Sequence, residues 1–546
     1  MKSIIYLRLL FIAMLTLFSL TAFCTDINIL FYGAKADGKT INTKAIQLAI
    51  DQCSKTGGTV IIPAGTFISG TLYLKSNVNI YLTHGAVLMG SPAFKDYPNN
   101  IIHYQSSFTN NVNGDSRTNK AFLFAEGKVN IKISGEGTIN GNGLSPAFQL
   151  GDDSKSAESK TRPVMILMVD CKNITLENVN LKNSAYWMEN YLGCSNLHFK
   201  GIYVFNHATY NNDAIDMDSK DVLIEDCTFD SDDDGICLKS HDRNKPCENI
   251  TVRNCTVRSN CNAIKFGTAS LGGFRNINIS NVTIRQASES LIWNWQKSLK
   301  FIEQPITVLA GIAIENVDGG VTDNVTISNV YMEDVQTAIF IKLGNRGSKG
   351  PGETASPNPG HLRNVTLNNI TATGHSKITS SITGFPGYDV ENVQLSNVRI
   401  SDMGNGTVEE ASKPVPESEK NYPENRMFGN TLPASGLYIR HVKGISFQNV
   451  NLEVRNADSR PVIIMDDVKN GLITELTTAE PIINNPTLEL TDSKNILLLN
   501  PQIKSDNIPY LKVSGDQTQN INVIGLGDRK KAVAAGERIN GQVHIN

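Results

Sequence analysis

A nine-residue pattern recurs along most of this chain and restricts its possible folds more than any other feature. It reads Asn, apolar, any, apolar, any, polar, apolar, any, apolar, as in NITLENVNL from Asn173 and NITVRNCTV from Asn249. Alternation with a period of two predicts strands that bury one face. Further copies begin at Asn196, Asp221, Asn276, Asn324, Asn364, Asn392 and Gly444.

The spacing of these copies predicts a solenoid. Between residues 173 and 276 they start 23, 25, 28 and 27 residues apart, and the later gaps of 48, 40, 28 and 52 contain polar loops. Repeats of about 20–50 residues with short strands are typical of solenoids, whereas leucine-rich repeats need regular Leu and propeller blades need about four strands each. The sequence therefore predicts an all-β fold, a single right-handed parallel β-helix with stacked Asn at its turns.

The two ends differ from the repeats. Asn42 is a candidate N-cap for a helix that carries Ile46, Ala49, Ile50 and Cys53 on one face and stops at Gly57-Gly58. A solenoid needs its open end covered, so we predict a capping helix there, and a second cap around KKAVAAGERI. Long loops at 92–120, 344–361 and 403–436 are expected to wall a groove. No linker divides the chain, which predicts one catalytic domain over 25–546, with 25–90 as cap and first coils.

The N-terminus resembles an export signal. Lys2 and Arg8 precede the apolar run LLFIAMLTLFSLTAF, which has small residues near its end. A single-pass anchor is the alternative, although the run is short for a bilayer. We therefore predict a signal peptide over 1–24, no stable membrane insertion after its removal, and an exported protein that is periplasmic, secreted or at the cell surface.

Composition excludes one class of partner. The chain has 546 residues, a formal net charge of −3 and 19% charged residues, without the basic surplus of a nucleic-acid binder. A local basic groove could still attract an acidic substrate. We expect a monomer.

Cysteine and asparagine recur at fixed strand positions. Cys171, Cys194 and Cys247 each precede a strand-opening Asn by two residues, and Cys227 and Cys255 share another position. This favours an interior stack over a metal site, since no pair has zinc-site spacing. Asn-x-Thr triplets match a glycosylation motif, but their common position favours Asn ladders.

The segment DSDDDGICLKS crowds four acids into residues 230–234, directly before an apolar strand. Asp213 precedes Asp233 by 20 residues and Asp234 by 21, close to one turn of the repeat. Neighbouring strands lie about 4.8 Å apart, so these three carboxylates are expected to meet on one outer face.

Crowded carboxylates cannot all ionise easily, and one of them retains a proton as a result. The cluster can then supply a general acid beside general bases, which inverting glycoside hydrolysis requires. A calcium site and plain solvated turns remain alternatives for the same acids.

The chain resembles the pectin-degrading glycoside hydrolases of family 28, which include polygalacturonases and rhamnogalacturonan hydrolases. YGAKADGKTINTKAIQLAID and GGTVIIPAGTFISGTLYLKSNVNIYL resemble the family's N-terminal start, and ISGEGTINGNG its central Gly-rich strand. The family's Asn-Thr-Asp motif matches Asn211-Asn212-Asp213, and its Asp-Asp pair matches Asp233-Asp234. The resemblance implies that Asp233 is the general acid, that Asp213 and Asp234 hold and deprotonate the attacking water, that inversion needs no metal or other cofactor, and that an acidic pectic oligo- or polysaccharide is the partner.

Two departures from the family pattern affect the expected substrate. Asn262 stands where the family has the His of Gly-His-Gly, so Lys265 or His241 would have to tune the acid instead. The substrate-binding Arg-Ile-Lys has no clean match; Lys342 and Arg346 are the nearest residues, with Asn294 and Lys297 as the alternative. These losses suggest action on branched or rhamnose-containing pectin, or release of terminal galacturonic acid.

Basic residues near the acids are consistent with an anionic substrate. Lys239, His241, Arg243 and Lys245 follow the acid pair, and Lys265 lies on the next coil. We expect Asn211, Lys239, His241, Asn262, Lys265, Lys342 and Arg346 to bind substrate. Trp187, Trp293 and Trp295 could stack on sugars or pack in the core. A calcium-dependent pectate lyase and a non-catalytic pectin-binding solenoid are the rival functions.

Overall fold

All the strands pair in parallel as one continuous ladder. The computed structural model describes residues 25–107, 120–149, 162–289, 308–350, 352–354, 358–422, 425–429, 431–478, 485–502, 509–526, 532–535 and 541–545. The predicted signal peptide lies outside them. Among the described residues, no helix combines the length and apolar character needed to cross a bilayer.

The N-terminal coils contain strands of two to seven residues. They are β1 Thr25–Asn28, β2 Asp37–Ile41, β3 Gly58–Ile62, β4 Gly65–Ser69, β5 Leu72–Tyr73, β6 Val78–Leu82, β7 Ala86–Gly90, β8 Ala121–Glu126, β9 Val129–Gly135, β10 Thr138–Asn140, β11 Val164–Val169, β12 Lys172–Glu177 and β13 Asn180–Lys182.

The central coils contain longer strands that bend from one wall into the next. They are β14 Glu189–Lys200, β15 Tyr203–Asn206, β16 Ile215–Glu225, β17 Thr228–Ser231, β18 Ile236–Ser240, β19 Cys247–Ser259, β20 Asn262–Ser270, β21 Phe274–Gln286, β22 Val308–Asn316, β23 Val321–Leu343, β24 His361–Gly374, β25 Ser380–Thr383 and β26 Val390–Asp402. The C-terminal coils follow with β27 Leu437–Val454, β28 Ile463–Thr478, β29 Leu488–Thr491, β30 Lys494–Leu499, β31 Leu511–Ser514, β32 Gln519–Ile524, β33 Val533–Ala535 and β34 Val543–Ile545.

Within the described part of the chain, the helices are few and short. They are α1 Thr43–Cys53 and α2 Val408–Ala411, with single 3-10 turns at Ile29–Tyr32, Phe94–Asp96, Pro146–Phe148 and Asn425–Phe428. α1 buries Ile46, Ala49, Ile50 and Cys53, the face predicted from sequence. Its role as an end cap stays a prediction.

Two local expectations need correction. The side chain of Asn42 does not cap α1; it accepts a hydrogen bond from Lys35 N at 2.7 Å and donates to Thr40 O at 2.8 Å, which fixes the preceding turn. In the predicted C-terminal cap, residues 533–535 form strand β33, whose backbone pairs in parallel register with β31 and so extends the ladder by one more strand. The flanking residues 527–531 and 536–540 lie outside the described residues.

Register aligns the inward side chains of successive coils. Ile215, Ile236, Ile264 and Ile312 are consecutive partners on β16, β18, β20 and β22, and all four are buried. Met217, Leu238, Phe266 and Ile314, two positions further along the same strands, belong to the same core, so the side chains between them project outward from the sheet. We call the outward surface of β16, β18, β20 and β22 the site sheet.

Asparagine ladders form at the turns, as predicted. Asn196 Nδ2 donates to Asn173 Oδ1 at 2.7 Å, and Asn276 Nδ2 donates to Asn249 Oδ1 at 3.1 Å. These residues have φ between 55° and 59°, a left-handed conformation that Asn tolerates better than most residues. Cysteines also stack as predicted: Cys171 N donates to Cys194 Sγ at 3.4 Å, and both side chains are buried.

Candidate active site

The fold brings the three predicted acids together on neighbouring coils. Asp213 lies before β16, and Asp233-Asp234 lies before β18. Ala214 N donates to Asp234 O at 2.9 Å, and the next pair in register is Ile215 with Ile236. Asp213 and Asp234 therefore occupy the same position on adjacent coils, at the edge of the site sheet.

The crowded acid run divides into two pairs with different surroundings. Asp230 accepts from His207 Nε2 at 2.8 Å, and Asp232 accepts from Asn260 Nδ2 at 2.6 Å, all among buried residues. These bonds anchor the turn. The side chains of Asp233, which is half-buried, and Asp234, which is buried, take no part in these two anchoring bonds.

The three acids differ in their affinity for protons. Burial and the neighbouring Asp234 raise the pKa of Asp233 to about 7. Burial also raises the pKa of Asp213, with Asp216 and Asp233 adding repulsion. Although burial opposes it, Lys265 and Lys239 lower the pKa of Asp234 below its usual value. The site thus pairs a proton-holding carboxyl with an ionised one.

Asn262 bonds directly to the ionised acid. Its Nδ2 donates to Asp234 Oδ1 at 2.7 Å, and its backbone N donates to the same oxygen at 3.3 Å. The amide can therefore fix and stabilise the carboxylate, but it cannot relay a proton as imidazole does.

Asp216 is a site residue that the motif comparison missed. It is buried on the site sheet, and Lys239 Nζ lies 3.1 Å from its Oδ1. Burial raises the pKa of Asp216, whereas Lys239 acts in the opposite direction. The period-two alternation of β16 could have identified it, since residue 216 faces outward between Ile215 and Met217.

Lys265 is buried on β20 and pairs with Glu315 of β22, which sequence spacing did not reveal. Burial raises the pKa of Glu315 to about 7 despite the ammonium. In spite of its burial, the pKa of Lys265 is raised by Glu315 and Asp234. Lys265 thus remains a cation beneath the acids.

The turn that carries Asp213 is tightly held. Asn212 Nδ2 donates to Tyr186 O at 2.8 Å, and the buried Arg162 donates through NH1 to Thr209 Oγ1 at 2.6 Å. Asn211 is half-buried with φ 54°. Neither the role of Arg162 nor that of Asn212 was predicted from the sequence.

A cleft of about 570 Å³ opens beside the site sheet. The three loops predicted to wall a groove all reach it, through Ser107, Lys349 and Tyr422. Lys239 and His241 line its base, and His241 Nδ1 lies 2.9 Å from Asp218 Oδ2.

The two candidates for the family's carboxylate-binding basic residues are placed differently. Arg346 lines the cleft, pairs with Asp318 through Nε at 2.8 Å and stacks over the Tyr422 ring at 4.8 Å. Lys342 is 0% exposed and lies 5.8 Å from the centre of the Phe428 ring. Its burial under the 403–436 loop lowers its pKa to about 8 and separates it from the open cleft. Asn294 and Lys297 lie outside the described residues.

The remaining aromatic and basic residues considered as sugar-binding candidates differ in where they lie. Trp187 is half-buried, lines the cleft and lies 4.4 Å from the Tyr186 ring, whereas Trp293 and Trp295 lie outside the described residues. Arg243 pairs with Glu353. Lys245 stacks over Tyr104.

Comparison with known proteins decides the family. The sequence matches the model described as "Glycosyl hydrolases family 28" over residues 53–420. The chain belongs to this family.

Curated relatives of this family 28 hydrolase are polygalacturonases. It is 26% identical over 448 residues to an exo-poly-alpha-D-galacturonosidase from Dickeya chrysanthemi, covering 72% of this chain and 70% of the relative. It is 26% identical over 320 residues to an endo-polygalacturonase from Pectobacterium carotovorum subsp. carotovorum, covering 56% and 73%. The chain is therefore a glycoside hydrolase of polygalacturonase type, and the lyase and non-catalytic alternatives are not supported.

Solved structures of related fold include an exopolygalacturonase from Thermotoga maritima and a family 28 exopolygalacturonase from Yersinia enterocolitica. The first has a TM-score of 0.55 and 22% identity, covering 69% of this chain and 87% of that one. The second has a TM-score of 0.54 and 19% identity, covering 84% and 79%. These likenesses support the parallel β-helix of the family 28 hydrolase.

Proposed function

We propose that this family 28 hydrolase cleaves α-galacturonosyl linkages by inversion, with Asp233 as general acid. Asp213 and Asp234 hold and deprotonate the attacking water. The observation that carries the proposal is the opposed proton affinity of adjacent carboxyls: the pKa of Asp233 is raised to about 7 and that of Asp234 is lowered. Inversion requires one carboxylic acid and one carboxylate around the scissile bond.

The cleft favours an acidic substrate of polygalacturonan or rhamnogalacturonan type. Lys239, His241, Arg346 and Lys349 line it. A Lys ammonium attracts a uronate as a point charge, and an Arg can bind a carboxylate with two parallel hydrogen bonds. No cofactor enters the proposed reaction.

The loops around the cleft favour attack near the end of a pectic chain. Residues from three separate loops close on a volume of about 570 Å³, and Tyr422 stacked on Arg346 supplies one wall. Such walls restrict the passage of a long chain through the cleft. The Dickeya relative is named as an exo-acting enzyme. We propose that this chain likewise releases terminal galacturonic acid, or acts on branched or rhamnose-containing pectin.

The remaining expectations extend this proposal to the whole chain. Residues 1–24 direct export to the periplasm, the cell surface or the medium, and residues 25–546 act as one catalytic domain. The protein works as a monomer. Asn211, Lys239, His241, Asn262, Lys265 and Arg346 contact or support the bound sugar.

A panel of pectic oligosaccharides tests the proposed reaction. We expect proton NMR to show the β-anomer of the released sugar first, because inversion reverses the α configuration. We also expect viscosity to fall only slightly for a given release of reducing ends. Initial release of the α-anomer contradicts inversion, and faster attack on unbranched polygalacturonate than on rhamnogalacturonan oligosaccharides contradicts the specialised substrate.

The pH dependence of the rate tests the acid. Asp233 must be protonated to act, and its pKa is about 7, so we expect kcat/KM to fall about tenfold for each pH unit above pH 7. Asp234 stays ionised well below that pH. Glu315→Gln is the matched control, since burial also raises the pKa of Glu315 to about 7. The alkaline limb persists in this variant if Asp233 causes it and disappears if Glu315 does.

A further inference from the structure

A cysteine thiol lies against the two acids of the Asp-Asp pair. The carboxylate oxygens of Asp233 and Asp234 and the Sγ atom of Cys261 all lie within 4.8 Å of one another. Cys261 is 7% exposed, and Asn262 Nδ2 lies 3.3 Å from its Sγ. Cys261 falls on the first Gly of the Gly-His-Gly pattern, so its thiol adds a ligand that the pattern lacks.

A second observation concerns the neighbouring coil. Asp213 is 4% exposed, and its Oδ1 has no hydrogen-bond partner in the described part of the chain. Ala214 N donates to Asp234 O at 2.9 Å and Ile215 pairs with Ile236, so Asp213 lies beside Asp234 on the adjacent coil, next to the same cluster. A buried carboxylate oxygen without a partner is costly, and a bound cation would satisfy it.

We propose that Cys261, Asp233 and Asp234, assisted by Asp213, form a binding site for a thiophilic divalent cation of the Zn²⁺ class. Zinc binds thiolate at about 2.3 Å and carboxylate oxygen at about 2.0–2.2 Å, so ligands that share one tetrahedral ion stand roughly 3.3–3.8 Å apart. Side-chain rotation closes the remaining gap. Calcium and magnesium prefer oxygen ligands alone, and the thiol therefore selects against them.

Another ligand cluster shows why this one is suited to a metal. Asp389, His441 and Asp467 also have ligand atoms within 4.8 Å of one another, but Lys469 Nζ lies 3.0 Å from Asp389 and 3.3 Å from Asp467. The ammonium of Lys469 therefore already balances the negative charge of that cluster. Around Asp213, the carboxylates of Asp216, Asp233 and Asp234 face Lys239. Lys265 also acts on Asp234, but it is paired with Glu315, so negative charge remains to be balanced.

The bound cation would inhibit hydrolysis reversibly, because it would occupy both oxygens that the acid and the base need. This consequence rests on the proposed function. Binding itself rests only on the three side chains, and it can be measured without substrate.

The test titrates chelator-treated protein with Cd²⁺ and records the ultraviolet absorption of the thiolate–cadmium bond. Wild-type protein is expected to gain this absorption. Zn²⁺ is expected to compete with Cd²⁺ for the site and to suppress release of reducing ends. Cys261→Ala should lose the absorption and weaken binding by at least the roughly 10–100-fold that loss of even a supporting residue costs at metal sites. Cys247→Ala, at a buried thiol that donates to Met217 O, is the matched control and should retain both effects.

The outcomes separate the two proposals. Absence of the absorption in wild-type protein, or its persistence in Cys261→Ala, overturns the metal site. If Cys261→Ala does not fold, Asp233→Asn must weaken Cd²⁺ binding while it keeps the thiol, and unchanged binding contradicts the site. Cadmium bound through Cys261 without any loss of hydrolysis retains the metal site and contradicts the catalytic roles of Asp233 and Asp234.

Discussion

Asp233→Asn is expected to reduce kcat on oligogalacturonate by about 10²–10⁴-fold, the usual contribution of a general acid. The amide keeps the size of the side chain and its acceptor for Asp234 N, which lies 2.9 Å from Asp233 Oδ1. It has no carboxyl proton to give to the leaving oxygen. Reducing-sugar release measures the rate, and retained substrate binding shows that the cleft is intact.

Two controls isolate the acid function in this variant. Asp226→Asn makes the same chemical change on the same coil, where Asp226 accepts from Asn254 in an exposed ladder, and should leave kcat unchanged. An aryl galacturonide has a leaving group that needs little protonation, so Asp233→Asn should lose much less activity on it. An equal loss on both substrates, or more than about a tenth of wild-type kcat on oligogalacturonate, contradicts Asp233 as the acid.

Lys265→Met is expected to have the second largest effect, because it breaks a fully buried ion pair. Removal of one partner of such a pair costs about 3–5 kcal/mol, since the other partner is left without compensation. Glu315 is 0% exposed and becomes that partner. Denaturant unfolding should show a lower midpoint, and the acidic limb of the rate profile should move to higher pH because Asp234 loses a neighbouring cation.

The double variant Lys265→Met with Glu315→Gln distinguishes stability from catalysis. Neither side chain then carries a charge, so most of the lost unfolding free energy should return. The acidic limb should remain displaced, because Asp234 still lacks Lys265. A double variant that restores both the stability and the wild-type acidic limb would show that Lys265 acts only by holding the fold together.

The repetitive parts of this structure were predictable because each coil repeats the same physical requirements. The period-two alternation predicted the strands, and the recurring Asn predicted the ladders. The interval from Asp213 to Asp233 and Asp234 equals about one coil, so stacking could be inferred without coordinates. Because neighbouring coils pair in parallel register, residues about one coil apart in the sequence lie next to each other in the structure.

The missed residues depend on contacts between coils of unequal length. Glu315 follows Lys265 by 50 residues, and the insertion between them conceals the pairing from any count of spacing. Cys261 lies one regular coil after the acids, and the turn before β20 stacks on the turn before β18, so the repeat spacing alone could have indicated this contact. Lys342 was predicted to reach substrate, yet the loop at 403–436 covers it, and nothing in the local sequence at 342 indicates that cover.

The crystal structure of the Asp233→Asn protein with a bound oligogalacturonate tests the central claim most directly. We predict that the side chain at 233 contacts the scissile oxygen and that Asp213 and Asp234 hold a water on the opposite face of the sugar. A sugar bound away from these three residues, or a carboxylate in line to attack the sugar with no water between them, would contradict the mechanism.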